Sequence, residues 1–249
     1  MGDPVNSVNR PLCERIMNDM VTESKFLCYL DILGFKNRIT EDGFKRCYES
    51  IIKEVIEPHD YREKVYLISD SIILISDDFG ELVANSFSIY SIALAQGLFL
   101  RGAVTKGQIN KHPSVQETGN KIIIPYLGET YLNAYKLEQS INCAAICIDQ
   151  GAYDELGEKQ DLIFRYEELF PKDGKKREKL FLISDMNNWS VPQTILLNIS
   201  QQIECLSKHD LLKFIDTFCL YYRVMTEKHK DTNNLETYHR WWIDILNKL

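Results

Sequence analysis

The order of apolar runs in the first 150 residues constrains the fold most, because their periods alternate between strand-like and helical. "KFLCYLDIL" (residues 25–33) reads as a buried strand. Phe44, Cys47, Ile51, Ile52, Val55 and Ile56 then recur at helical spacing until Pro58 ends the helix. "KVYLI" and "SIILIS" follow as two strands, and the polar Ser69-Asp70-Ser71 between them suits a hairpin turn. "LVANSFSIYSIALAQGLF" is a helix apolar enough to lie against a sheet, and "LRGAVTKGQI" returns as a strand with two glycines. After a polar loop, "IIIPYLGETYLNAYKLEQSI" changes from strand to helix past Gly128, and "NCAAICID" is a further strand. A β-α-β-β-α-β order with more αβ behind it is the split unit of an α/β (α+β) ferredoxin-like fold.

Beyond Asp149 the pattern blurs into short strands and charged loops as far as Asn188. Ser190 and Pro192 mark an N-cap and first turn, and three helical stretches run from there to the end. The chain therefore divides into an N-terminal arm (1–22), an α/β body (23–188) and a helical C-terminal extension (189–249) packed on that body.

Composition narrows the class. Of 249 residues 45% are apolar and 26% charged, the proportions of a globular protein with a sizeable core. A net charge of −7 argues against a general nucleic-acid or anionic-membrane binder, which would carry a basic face. The first twenty residues lack a long apolar run, so neither a signal peptide nor a membrane anchor is expected. Seven cysteines occur without a Cys-x-x-Cys pair, which suits a reducing cytoplasm. Cys143 and Cys147 read as small core residues. Serine-hydrolase and Walker-A patterns are absent.

Two acids break this pattern. Asp31 interrupts an apolar strand, and Asp70 sits where two apolar strands turn. In a split βαβ unit the first strand lies beside the hairpin, so both carboxylates can reach one rim of the sheet. Paired carboxylates with a backbone carbonyl form an oxygen set suited to Mg²⁺ held beside substrate phosphates. Two such ions would clamp the attacking and leaving oxygens of an in-line phosphoryl displacement. Either acid alone would be read as a turn residue.

Four segments together resemble the class III nucleotidyl cyclases. "FLCYLDILGFK" is similar to the family's Phe-x-Asp-Ile-x-Gly-Phe strand, and "VYLISDSIIL" to its second-metal hairpin, with Ser69-Asp70 in place of Gly-Asp. "LRGAVTKGQI" is similar to Arg-x-Gly-Ile-x-x-Gly, and "YLGETYLNAYKLEQS" to Gly-Asp-x-Val-Asn-x-Ala-x-Arg-x-Glu. The resemblance spans residues 25–150 and implies a catalytic domain over the α/β body. It also implies two divalent metal ions (Mg²⁺ or Mn²⁺) on Asp31 and Asp70, with the Ile32 carbonyl as a further ligand. Backbone N–H groups from Leu33 through Gly34 to Phe35 would cradle phosphate. The reaction implied is attack of a ribose 3′-hydroxyl on the α-phosphorus, with loss of pyrophosphate.

The family's transition-state Asn falls on Leu132, and its Arg on Lys136, which keeps the charge without the bidentate fork. Asn133 is one residue off, a rotation of ~100° on a helix. A catalytically degenerate, nucleotide- or partner-binding cyclase fold therefore remains an alternative. The position that reads the purine, four before Asp70, is Tyr66 here, and the second such position is Pro125. A phenol there shrinks the base pocket and favours a pyrimidine.

In this respect the chain resembles the pyrimidine cyclases of bacterial antiphage defence (the Pycsar group), where an Arg helps select the base; Arg101 is the candidate. That resemblance implies UTP or CTP as substrate, with UTP favoured, although a purine cyclase with a rearranged pocket is a further alternative. It also implies a homodimer with shared active sites, Lys136 coming from the partner, and a separate effector that responds to the cyclic nucleotide. Lys106 and Lys111 are further candidates for phosphate contact.

Overall fold

The computed structural model describes residues 21–35, 40, 42–56, 64–111, 128–172, 174–183, 194–199, 208–228, 230 and 233–247. Residues 1–20 of the expected N-terminal arm, the expected strand with Pro125, the helix start at Ser190 and Pro192, and the Lys111 side chain lie outside the described residues, while residues 21 and 22 of the expected arm belong to the first strand.

Among the described residues seven strands form one sheet: β1 (Val21–Ile32), β2 (Lys64–Ile68), β3 (Ser71–Ser76), β4 (Leu100–Lys111), β5 (Ile146–Ile148), β6 (Ile163–Glu167) and β7 (Glu178–Leu182). The helices are α1 (Asp42–Ile56), α2 (Phe79–Ala95), α3 (Gly128–Ser140), α4 (Gln150–Asp154), α5 (Lys208–Arg223) and α6 (Leu235–Leu246), with a further helical run over 194–199. The strand order is β2-β3-β1-β4-β5-β7-β6. Among its first four strands each is antiparallel to its neighbour, as the ferredoxin-like split unit requires.

β1 is the axis of the sheet. It pairs β3 on one side and β4 on the other, and the β4 ladder runs from Val21↔Lys111 to Ile32↔Leu100. Period-2 alternation sends Phe26, Cys28, Leu30 and Ile32 to one face, where Phe44 and Ile51 of α1 and Leu82, Ile89 and Tyr90 of α2 cover them. Leu27 and Tyr29 face the other way, into a thinner layer with Ile73, Ile75, Ile109 and Ala134 of α3. Asp31 follows Tyr29 on that second face and keeps a fifth of its side chain accessible. The awkward acid thus lies at the rim of the thin layer, outside the main core.

Gly102 allows the close β4–β1 approach, since a Cβ there would meet Leu30 Cδ2 at 2.5 Å and the Tyr29 carbonyl at 2.6 Å. The hairpin turn is shorter than the sequence suggests: Ser69 and Asp70 form it, and Ser71 already pairs with Asp31. β5 is also shorter, covering three of the eight residues of "NCAAICID". The backbone N–H groups of Asn142 and Cys143 donate to Glu168 Oε1, and that of Ala144 donates to Thr217 Oγ1 at 2.7 Å. With those donors taken by buried side chains, Asn142 to Ala144 stay out of the ladder, which begins with the Gly102 N–H donating to the Ala145 carbonyl at 2.9 Å.

The blurred region after Asp149 resolves into an antiparallel β6–β7 pair that widens the sheet through β5. The C-terminal helices share the main core: Phe214 of α5 packs against Phe99 with ring centroids 4.7 Å apart, and Trp242 of α6 stacks on Phe218. Cys143 and Cys147 are buried and unpaired by disulfide.

Candidate active site

Asp31 is the penultimate residue of β1, and Asp70 sits in the turn beside it. The register brings them together: Asp31 faces Ser71, and the Ile32 N–H donates to the Asp70 carbonyl at 3.1 Å. Ser69 holds φ at +57° where the family motif carries glycine, and its carbonyl accepts from the Tyr48 hydroxyl. A polar cleft of about 450 Å³ opens over both acids, within the range of small-molecule sites. Ile32, Gly34, Phe35 and Ser71 border it on the sheet side. Tyr135 and Gln139 of α3 form one wall, and Lys213 of α5 reaches it from the C-terminal extension.

The cleft is electrostatically uneven. Burial pushes the Asp31 carboxyl up to about 7, and the nearby Glu138 and Asp70 carboxylates add to that, against the pull of Arg101 and Lys172. Glu138 is fully buried, and its charge is met by Arg101 Nε. Arg101 Nη2 stands 3.9 Å from Asp31 Oδ2, and Nη1 is 3.5 Å from the Ile141 carbonyl. Two crowded carboxylates, one held near neutrality, are a donor set that a cation would relieve. Their number suits Mg²⁺ or Mn²⁺ completed by phosphate oxygens, rather than an all-protein cage. Among the described residues no group of three His, Cys, Asp or Glu side chains forms such a cage.

The other residues singled out by sequence are distributed as follows. The Leu33 N–H donates to the Phe99 carbonyl at 2.9 Å, so it is already committed within the protein. Gly34 has φ +78° and lines the cleft. Phe35 packs edge-on against Phe44 and Tyr48. Tyr66 is half-buried on the second face of the sheet, in the cross-strand row Tyr66–Ile73–Tyr29, one alternate position back from Asp31. It shares the face of Asp31 without lining the cleft.

Arg101 is buried and bound to Glu138. Lys136 is exposed on α3, as are Leu132 and Tyr135. Lys106 pairs with Glu155 at 2.8 Å and lies over the Phe26 ring.

Sequence reasoning passed over Glu138, Tyr135, Gln139 and Lys213. Glu138 carried a signal, since it continues the i, i+4 stripe Thr130–Ala134 that α3 buries. Lys213 carried none. It reaches the cleft through tertiary packing alone.

No protein-family model matches the chain, and no curated protein matches it in sequence. Solved structures similar to it include the adenylyl cyclase CyaB from P. aeruginosa, at 16% identity and a TM-score of 0.45, covering 66% of this chain and 96% of that one. A bacterial light-regulated adenylyl cyclase aligns at 15% identity and 0.45, over 66% of this chain and 52% of its own. An adenylate cyclase from Trypanosoma brucei in its monomeric state aligns at 13% identity and 0.43, over 64% and 88%.

Proposed function

We propose that this chain is a nucleotidyl cyclase that converts a pyrimidine nucleoside triphosphate, UTP in preference to CTP, to its 3′,5′-cyclic monophosphate and pyrophosphate. The observation that carries the reading is the meeting of Asp31 and Asp70 at adjacent strand ends over one polar cleft. When bound, a divalent cation would neutralise phosphate charge and acidify the ribose 3′-hydroxyl. The acids hold that charge in place, and Ile32 and Gly34 border the space for the phosphates. Bond formation runs from O3′ to the α-phosphorus. The bond from that phosphorus to the bridging oxygen breaks, pyrophosphate leaves, and the hydroxyl proton passes to solvent.

The pyrimidine choice follows from the resemblance, which puts Tyr66 at the base-reading position; in the fold Tyr66 lies on the face that carries Asp31, outside the cleft lining. Lys136, exposed on α3, is available to a second copy of the chain, in line with a homodimer that shares its sites. A role for the product as a messenger to a separate effector in antiphage defence follows from the resemblance of the sequence motifs. An exposed Leu132 where the family uses Asn favours a second reading, a nucleotide-binding fold without turnover.

Incubation with ATP, GTP, CTP or UTP and Mn²⁺, followed by chromatography, tests all of this. A cyclic pyrimidine product that disappears in Asp70→Ala is expected. A purine product removes the argument from Tyr66, and no product with any nucleotide leaves the binding reading.

A further inference from the structure

With Tyr66 outside the cleft, the aromatic residues that line it are Tyr29, Phe35 and Tyr135. Tyr29 is buried, and its hydroxyl is bonded to Ser71 Oγ at 2.7 Å. Phe35 is half-buried and held edge-on by Phe44 and Tyr48. Tyr135 alone of the three is exposed, at 41%.

That exposed ring is nevertheless held in place. Tyr135 stacks on Tyr131, one turn back on α3, with centroids 6.5 Å apart and planes at 21°. It also meets Tyr29 edge-on, at 5.8 Å and 89°. Two ring contacts of this kind fix the plane of a side chain that has only two rotatable bonds. One turn further along the same helix, Gln139 also lines the cleft. Its Nε2 donates to Oε2 of the buried Glu138 at 2.7 Å, which turns the amide so that Oε1 and one N–H remain for another partner. A flat ring and an oriented amide therefore stand side by side on one wall of the cleft that holds Asp31 and Asp70.

We infer that Tyr135 is the stacking platform for the nucleobase, and that Gln139 hydrogen-bonds the edge of the base laid on it. The group recognised is a planar heterocycle that presents a donor beside an acceptor, on a nucleotide whose phosphates lie at the two acids. Every nucleobase has such a face and such an edge, so the pair supplies affinity and orientation and leaves the choice between bases to other contacts. The inference rests on the cyclase reading for the identity of the ligand, while the platform itself is a property of binding.

Calorimetric titration of the full chain with 3′-deoxyuridine triphosphate and Mn²⁺ tests the platform, since a nucleotide without the attacking hydroxyl reports binding alone. Tyr135→Ala and Tyr135→Leu should each weaken binding about fivefold to 150-fold, the worth of one base stacked on an aromatic ring. Tyr135→Phe and Tyr135→Trp keep a flat ring and should retain most of the affinity. Gln139→Ala should lose about twofold to twelvefold, the worth of a neutral hydrogen bond. Inorganic tripolyphosphate, which has no base, should bind all of these variants as it binds the unaltered chain. Unchanged nucleotide affinity in Tyr135→Ala overturns the platform, as does Tyr135→Leu matching Tyr135→Phe, an equal loss of tripolyphosphate, or no nucleotide binding by the unaltered chain. Unchanged affinity in Gln139→Ala removes the amide from the site. Should Tyr135→Ala lose its melting transition, Tyr135→Leu set against Tyr135→Phe gives the answer in its place. A chain that makes cyclic product, and whose Tyr135→Ala variant binds the nucleotide as tightly as before, loses the platform and keeps the cyclase. One that holds the nucleotide through Tyr135 but makes no cyclic product keeps the platform and loses the cyclase.

Discussion

Arg101 and Asp31 face each other across the β4–β1 ladder, and Arg101 Nη2 comes within 3.9 Å of Asp31 Oδ2 while Nε is bound to Glu138. One guanidinium therefore serves two carboxylates, one of them fully buried. Replacing it by Arg101→Gln leaves buried Glu138 without a charge partner, only the Gln139 amide still donating to it at 2.7 Å, and breaking a buried pair costs about 3–5 kcal/mol. Urea unfolding should show that loss, with Arg101→Lys falling between, because it keeps charge but not the fork. If the variant changed nucleotide choice at unaltered stability, Arg101 would be a base-reading residue alone.

Asp31 gives the protein an unusual pH response. Its carboxyl is raised from 3.8 to about 7, first by burial and then by Glu138 and Asp70, with Arg101 and Lys172 opposing. Across that interval the native state keeps a proton that the unfolded chain has released. Stability contributed by the neutral acid is complete below the unfolded value, falls as pH rises towards about 7, and is gone above it. Asp31→Asn should remove this slope and be more stable than the unaltered protein at alkaline pH, by on the order of 2–4 kcal/mol. Added Mn²⁺ should raise the melting temperature of the unaltered protein more at alkaline than at acidic pH, and should leave Asp31→Asn unmoved. A less stable Asp31→Asn at alkaline pH would contradict the assignment.

Ser69 occupies the left-handed region at φ +57°. For an L-residue that conformation costs about 1–2 kcal/mol, part of which glycine offsets with its own entropy loss. Ser69→Gly is expected to stabilise the chain by about 0.5–1 kcal/mol in chemical denaturation. Because the turn keeps its shape, the Mn²⁺-dependent melting shift should survive. Loss of that shift would mean the serine itself helps to set Asp70.

What the sequence made legible follows the range of the interactions involved. β1, the α1 stripe, the β2–β3 hairpin, α2 and β4 declare themselves through local period, and their order selects the neighbours seen around β1. Asp31 and Asp70 were legible because an acid inside an apolar run is costly wherever the run is buried. β5 ended early because Glu168 and Thr217, distant in sequence, took its donors. Arg101 stood out as a charge at a strand end, but its partner Glu138 lies 37 residues on and on a helix. Lys213 was silent, since nothing in "LLKFID" distinguishes a cleft lysine from a solvated one.

The joint that seats the C-terminal helix supplies the last prediction. Asp216 and Thr217 are both fully buried, and neighbouring backbone donors depend on them: Leu169 and Phe170 on the first, Ala144 on the second. Thr217→Val keeps the shape but strands the Ala144 N–H, at a cost of about 1–3 kcal/mol. Asp216→Ala strands two N–H groups and the Asn142 amide, so it should cost more. The two side chains hold one buried polar joint between them, Asn142 and Ala144 on one side and Leu169 and Phe170 on the other. The double variant should therefore lose less than the sum of the single losses, by more than the ~0.5 kcal/mol seen for independent sites. Urea denaturation of all four chains measures that coupling. Simple additivity would show that helix α5 is seated by two separate contacts, and that the loop carrying Lys172 is positioned independently of Thr217.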